Sequence, residues 1–149
     1  MTNTIAILNH LIETLKDGQQ GFREAAADVE ATDLKTLFSE YSLQRSKFSG
    51  ELQQLARSLG ADDPATGGSL GGAIHRGWIN IKAALSSKDP HAILAECERG
   101  EDLAVADYKQ ALSVEGLPKD VAETLSAQYV EVKAAHDRIR DLRDSLVAQ

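Results

Sequence analysis

Four polar side chains occupy positions where the helical pattern of this chain calls for apolar ones. Four long segments carry apolar residues in the 3-4 alternation of an amphipathic helix, and each apolar seam has one gap. The gaps are filled by Gln19, Arg45, Glu101 and Gln128. The first two lie at similar distances on either side of one sharp turn, and the last two on either side of another. We therefore expect all four side chains in one layer near the middle of a helical bundle.

Such a layer can hold two metal ions when two helices each supply a Glu and the other two each supply a Glu-x-x-His pair. The chain contains no such pair. Each of its four histidines is preceded, three residues earlier, by another residue type: Ile7 before His10, Gly72 before His75, Lys88 before His91 and Lys133 before His136. An arginine in the layer would also repel a cation. The favoured interpretation is therefore a buried ion pair between Arg45 and Glu101, with Gln19 and Gln128 satisfying the remaining donors and acceptors.

A second interpretation keeps a metal in the bundle. Glu98 and Glu101 are three residues apart, so they share one face of a helix, and Glu131 and His136 fall toward the same half of the bundle. These four side chains could bind one divalent ion. The alternatives are thus a protein without a cofactor, which we favour, and a divergent iron- or manganese-binding oxidoreductase with a mononuclear or di-iron site.

A glycine-rich stretch at residues 67–72 precedes His75 and Arg76, and together they could bind an anion through free backbone N–H groups. The stretch lacks the Gly-Lys-Ser/Thr ending and the preceding strand of a nucleotide-binding loop. We therefore interpret it as a crossover loop. Trp78 should then point into the bundle and Arg76 toward an acidic partner, so that His75, Arg76 and Trp78 dock the crossover.

The remaining reactive side chains indicate no catalysis. Cys97 is the only cysteine and occupies a seam position, where packing is a better interpretation than redox sensing. The four scattered histidines do not assemble into a Ser/His/Asp set. No catalytic residue is therefore assigned.

The elements that position these residues are helices, because Ala, Leu, Glu, Lys and Gln dominate the long segments. The periodicity predicts helices at 3–30, 33–59, 90–113 and 118–147, and a crossover at 60–89 that contains a short helix at 70–86. Tight turns join the first two helices and the last two. The crossover is long enough to run back along a bundle ~40 Å tall. The sequence therefore predicts one all-α domain, a ferritin-like four-helix bundle with one long crossover.

Composition restricts the partners. The chain has 23 acidic and 16 basic residues, a net charge of -7, and no segment that concentrates Lys and Arg. Nucleic acid and anionic membranes are therefore not expected to bind. No leader sequence and no apolar run of ~20 residues is evident. We expect a cytoplasmic protein, and the single cysteine fits a reducing compartment.

Several short runs resemble a bacterial family of unknown function that is placed in the ferritin-like superfamily. They lie at residues 15–22, 75–78, 95–102 and 135–137, and they include His75-Arg76-Gly77-Trp78 and Ala135-His136-Asp137. The resemblance covers nearly the whole chain. It implies a four-helix bundle, a bacterial cytoplasmic setting and a link to stress, with no established activity. The superfamily's metal ligands cannot be carried over, because the residues they require are absent.

The leading hypothesis from the sequence is a non-catalytic structural or interaction protein, acting through protein contacts as a homo-oligomer, in the simplest case a dimer. It rests on an intact bundle pattern combined with a missing ligand set. The alternative is the metal-dependent oxidoreductase.

Overall fold

The structure, a computed structural model, describes residues 3–61 and 78–147. Within these ranges the chain forms five α-helices and no strand: α1 (Thr4–Asp28), α2 (Thr32–Ser58), α3 (Ile81–Ser87), α4 (Pro90–Leu112) and α5 (Lys119–Val147). The predicted all-α class is confirmed. The bounds of the four long helices differ from the sequence-based ones by no more than two residues at either end.

Local signals account for where the helices begin and end. Asn3 caps α1 by accepting a hydrogen bond from the backbone N–H of Ala6. Asp89 caps α4 in the same way, and Pro90 occupies the first helical position, where no backbone donor is needed. After α2 the chain turns at Gly60, whose φ of +103° favours glycine. The sequence therefore determines these ends without help from distant residues.

Contacts between helices define their directions. Thr14 in the first half of α1 donates a hydrogen bond to Asp107 in the second half of α4, with 2.7 Å between the oxygens. Gly21 follows Thr14 in α1, whereas Gly100 precedes Asp107 in α4, and both glycines face the indole of Trp78. Helices α1 and α4 are therefore antiparallel. Since the short turn after α1 also makes α2 antiparallel to α1, helices α2 and α4 run in the same direction. The end of α2 and the start of α4 therefore lie at opposite ends of the bundle.

The apolar core is divided into two clusters stacked along the bundle. One cluster contains Leu8, Leu11, Ile12, Leu15, Phe48, Leu52, Ala104, Val121, Leu125 and Val132 among its buried residues. The other contains Phe22, Phe38, Trp78, Ile81, Leu85, Leu94, Cys97 and Ile139. On α1, α2 and α4 the two clusters meet at the level of the predicted polar layer. On α5 they meet between Val132 and Ile139, so Gln128 lies within the first cluster. The seam gaps on the first three of these helices therefore mark a boundary inside the core, and the gap at Gln128 does not.

The crossover docks through its C-terminal part. Helix α3, Ile81–Ser87, lies in the described part of the crossover. Residues 62–77, which include the glycine-rich stretch, His75, Arg76 and the predicted start of the short helix at residue 70, lie outside the described residues. Trp78 is only 2% exposed. The buried carboxylate of Glu96 on α4 accepts a hydrogen bond from the backbone N–H of Asn80, with 2.8 Å between nitrogen and oxygen. The start of α3 is thus held by both an apolar and a polar contact.

Candidate functional site

The centre of the bundle holds an ion pair. The guanidinium of Arg45 on α2 donates two hydrogen bonds to the carboxylate of Glu101 on α4, from Nη1 to Oε1 at 2.5 Å and from Nη2 to Oε2 at 2.7 Å. The side chains are 1% and 0% exposed. This two-pronged geometry is the strongest arrangement available to an arginine and a carboxylate. The structure thus brings together the two charged residues of the predicted layer.

The surroundings of Arg45 support its charge. Its Nε donates to Oε1 of Gln44 at 3.1 Å, and the guanidinium carbon lies 5.4 Å from the ring centroid of Phe22, at a cation–π distance. Burial by itself would lower the pKa of Arg45, but the charge and hydrogen bonds of Glu101 raise it above its usual value. The guanidinium of Arg45 therefore remains charged inside the apolar core.

The sequence predicted that Gln128 would complete the hydrogen bonding of the ion pair, but its side chain bonds to other residues. Its Oε1 accepts a hydrogen bond from the hydroxyl of Tyr108 at 2.7 Å. Its Nε2 donates to Oε1 of Glu51 at 2.9 Å and to the backbone oxygen of Phe48 at 3.3 Å. Gln128 is buried, but it belongs to a separate chain of hydrogen bonds that links α2, α4 and α5.

Gln19 was wrongly placed in the layer. Its side chain is half-buried at the edge of α1, and its buried Oε1 accepts no hydrogen bond from the described residues. The neighbouring Gly18 faces the ion pair instead, since a Cβ added there would lie 3.6 Å from Nη1 of Arg45. The seam position on α1 is therefore left without a side chain, and the long arginine fills the space.

The four residues considered as metal ligands do not form one site. Glu98 pairs with Arg143 across α4 and α5. His136 contacts Asp102 at 2.6 Å through Nε2 and Asp137 at 3.0 Å through Nδ1. Glu131 is exposed on α5, and Glu101 is held by the guanidinium described above. Each candidate ligand thus faces a different direction or partner.

The donor set does not fit the two-metal centre that a ferritin-like bundle implies. In residues 3–61 and 78–147 no group of three or more His, Cys, Asp and Glu side chains could hold a metal ion. The central carboxylate, Glu101, is already neutralised by a fixed cation. A metal would have to displace Arg45 into an apolar core, at a cost of several kcal/mol.

Sequence reasoning missed the slot that receives Trp78. A Cβ on Gly21 would lie 2.3 Å from Cε3 of the indole, and one on Gly100 would lie 2.1 Å from Cε2, so neither position tolerates a side chain. The ring of Phe22 meets the indole edge-on, with 4.9 Å between centroids. Two glycines inside otherwise helical segments were the available signal for this close approach.

A cleft between α1 and α4 was also missed. It has a volume of about 440 Å³ and is lined mainly by apolar side chains such as Ile7 and Leu11, with His10 and Asp107 at its edge. Nε2 of His10 lies 3.3 Å from Oδ2 of Asp107, which also accepts the hydrogen bond from Thr14. No spacing pattern in one helix could reveal this cluster, because its members come from opposite ends of the chain.

Cys97 lies in the core, as its seam position suggested. Burial raises the pKa of its thiol well above the usual value, and the charges of Glu101 and Glu96 add to the effect. The thiolate, which is the reactive form, is therefore disfavoured in the folded protein.

The chain matches a known protein family. A family described as "Domain of unknown function (DUF2383)" matches residues 3–114, about three-quarters of the chain. The chain belongs to this family. The DUF2383 segment contains Arg45, Glu101 and the Trp78 slot, whereas α5 lies outside it. No curated protein matches the chain.

The DUF2383 match assigns no activity. The role of the site must therefore be interpreted from its own side chains.

Among the described helices none combines the length and apolar character needed to cross a membrane.

Proposed function

We propose that this protein is a non-catalytic member of the ferritin-like superfamily that acts through protein contacts, first of all with a second copy of itself. The observation that carries the proposal is the Arg45–Glu101 pair at the centre of the bundle. A ferritin-like enzyme needs carboxylates and imidazoles free to bind metal at this level. Here the same space contains a neutral, hydrogen-bonded pair of opposite charges.

The rest of the charged network supports the same conclusion. Glu98 and His136, the other ligands that the sequence offered, are occupied by Arg143 and by two aspartates. The contacts of Arg143 with Glu98 and of His136 with Asp102 join α4 to α5, so their evident role is to hold two helices together. The bacterial cytoplasm and a stress response are the setting that the family resemblance implies, and we include them in the proposal.

Elemental analysis tests this proposal directly. The protein should be purified without a tag or chelator, and its iron and manganese should be far below one atom per chain. Titration with Fe²⁺ or Mn²⁺ should show no saturable site. A stoichiometric metal that is lost in Glu101→Gln, whose side chain keeps its shape but not its charge, would overturn the proposal and return Glu101 to the role of ligand.

A further inference from the structure

The face formed by α2 and α5 carries an open groove, which we call the α2–α5 groove. Two adjoining cavities of about 520 and 390 Å³ share Glu131 and extend along it. Tyr41, Phe48 and Leu55 contribute apolar surface from α2. On the opposite face of the bundle, α3 and Trp78 pack over α1 and α4. Within the described residues, the α2–α5 face has no such covering helix.

Two pairs of opposite charges lie across this groove, one member on α2 and the other on α5, and we call each pair a rung. Lys47 and Glu131 line the same cavity from opposite walls. Gln128 contacts both Phe48 and Glu51, so antiparallel helices place Glu131 level with Lys47.

The second rung consists of Glu40, seven residues before Lys47 on α2, and Arg138, seven residues after Glu131 on α5. Arg138 lines the second cavity together with Tyr41, the residue that follows Glu40. Burial and then Glu101 raise the pKa of Tyr41, Arg138 opposes that rise, and Glu40 adds to it. Seven residues correspond to about two helical turns, so the second rung faces the same side as the first.

In residues 3–61 and 78–147, Glu40, Lys47, Glu131 and Arg138 form no ion pair. By contrast, the cations that face α4 from α5, such as Arg143, are paired. The sign also alternates, with acid then base along α2, and acid then base along α5 in chain order. In each rung, one side of the groove is therefore negative and the other is positive.

We propose that a second copy of this chain docks on the α2–α5 groove about a two-fold axis parallel to the helices. Such an axis places α2 of one copy over α5 of the other at the same level. Lys47 then meets Glu131 of the second copy, and Glu40 meets Arg138 of the second copy, each twice. A partner with a single sign of charge would match only one wall of each rung. The inference deepens the proposed function, because it names the surface of the protein contact.

Reciprocal charge reversal tests this arrangement. In Lys47→Glu the first rung becomes Glu facing Glu, and in Glu131→Lys it becomes Lys facing Lys. Each variant alone should lose at least about tenfold in dimer affinity, measured by sedimentation velocity, because two attractions become two repulsions. An equimolar mixture of the two variants restores opposite charges at both contacts. Native mass spectrometry should then show the mixed dimer in preference to either homodimer.

The second rung gives an independent version of the test, with Glu40→Arg and Arg138→Glu. Arg23→Glu, an exposed reversal on α1 outside the groove, is the matched control and should leave the dimer unchanged. Circular dichroism should show that every variant keeps its helices.

Three results would overturn the inference: a wild-type protein that is monomeric at high micromolar concentration, a dimer that survives the single reversals in both rungs, or variants that stay monomeric when mixed. None of these results depends on metal content. A failed dimer is therefore distinguishable from failure of the metal-free proposal, which elemental analysis decides.

Discussion

The central ion pair predicts a strong thermodynamic coupling between two residues that are far apart in the sequence. Arg45→Met leaves the carboxylate of Glu101 fully buried without a cation, and Glu101→Leu leaves the guanidinium of Arg45 without an anion. Each single change should lower the free energy of unfolding by about 3 to 5 kcal/mol. The double variant replaces both charges by apolar groups of similar volume, so it should lie within about 1 kcal/mol of the wild type.

The size of the coupling free energy between Arg45 and Glu101 follows from the geometry and the burial of the pair. Two hydrogen bonds at 2.5 and 2.7 Å offset the loss of hydration only while both partners are present. In the double variant, Met at position 45 still covers the ring of Phe22 and the space beside Gly18. The interaction energy from the double-mutant cycle should therefore be at least about 3 kcal/mol.

Urea unfolding of the four proteins, followed by circular dichroism, measures this coupling. A surface pair on α5 is the matched control. Lys133 and Asp137 are 40% and 35% exposed, and Lys133→Met combined with Asp137→Leu should show a coupling far smaller than that of the central pair, because water screens exposed charges. Additive effects of the central changes, to within ~0.5 kcal/mol, would refute the reasoning, because they would mean that the two charges do not depend on each other.

Three further predictions concern the Trp78 slot, a surface carboxylate and the thiol. Gly100→Ala should force the indole of Trp78 from its slot, which shifts the Trp emission to the red and lowers the free energy of unfolding by about 1 to 3 kcal/mol. Gly50→Ala is the control: a Cβ there meets nothing within 4 Å, so this change should stabilise α2 by about 0.5 to 1 kcal/mol. Hydrogen bonds from Lys133, and then from His136, lower the pKa of Asp137 from 3.8 to about 2, so its stabilising contribution is present above pH 3.8 and is lost as the pH falls toward 2. Asp137→Asn should therefore lower the melting temperature at neutral pH but not near pH 2. Cys97 should react with a thiol reagent only after denaturation, and a fast reaction in the native protein would contradict its burial.

Most of the bundle could be predicted from the sequence because its determinants are local. The 3-4 alternation identifies each long helix, and Asp89-Pro90 and Gly60 mark helix boundaries. The pairing of Arg45 with Glu101 was also accessible, since two opposite charges at one level of a core have few other ways to be satisfied.

What the sequence could not predict was the side-by-side register of those helices. An α-helix drifts by ~20° per heptad from a strict seven-residue seam, so a neighbour of the expected position can turn into the core. In α1 that neighbour is Gly18 rather than Gln19. The difference is one residue, or ~100° around the helix, and only packing against α2 decides it.

The sequence by itself determined the long helices, their order and the charged centre of the core, because periodicity and turn chemistry act over a few residues. Only the tertiary structure decided which partner each polar side chain takes. Arg143 reaches Glu98, Asp102 reaches His136, and the two glycines admit Trp78, each across helices separated in the chain. Such contacts change when packed helices shift by about an ångström relative to one another, and no spacing within a single helix encodes that position.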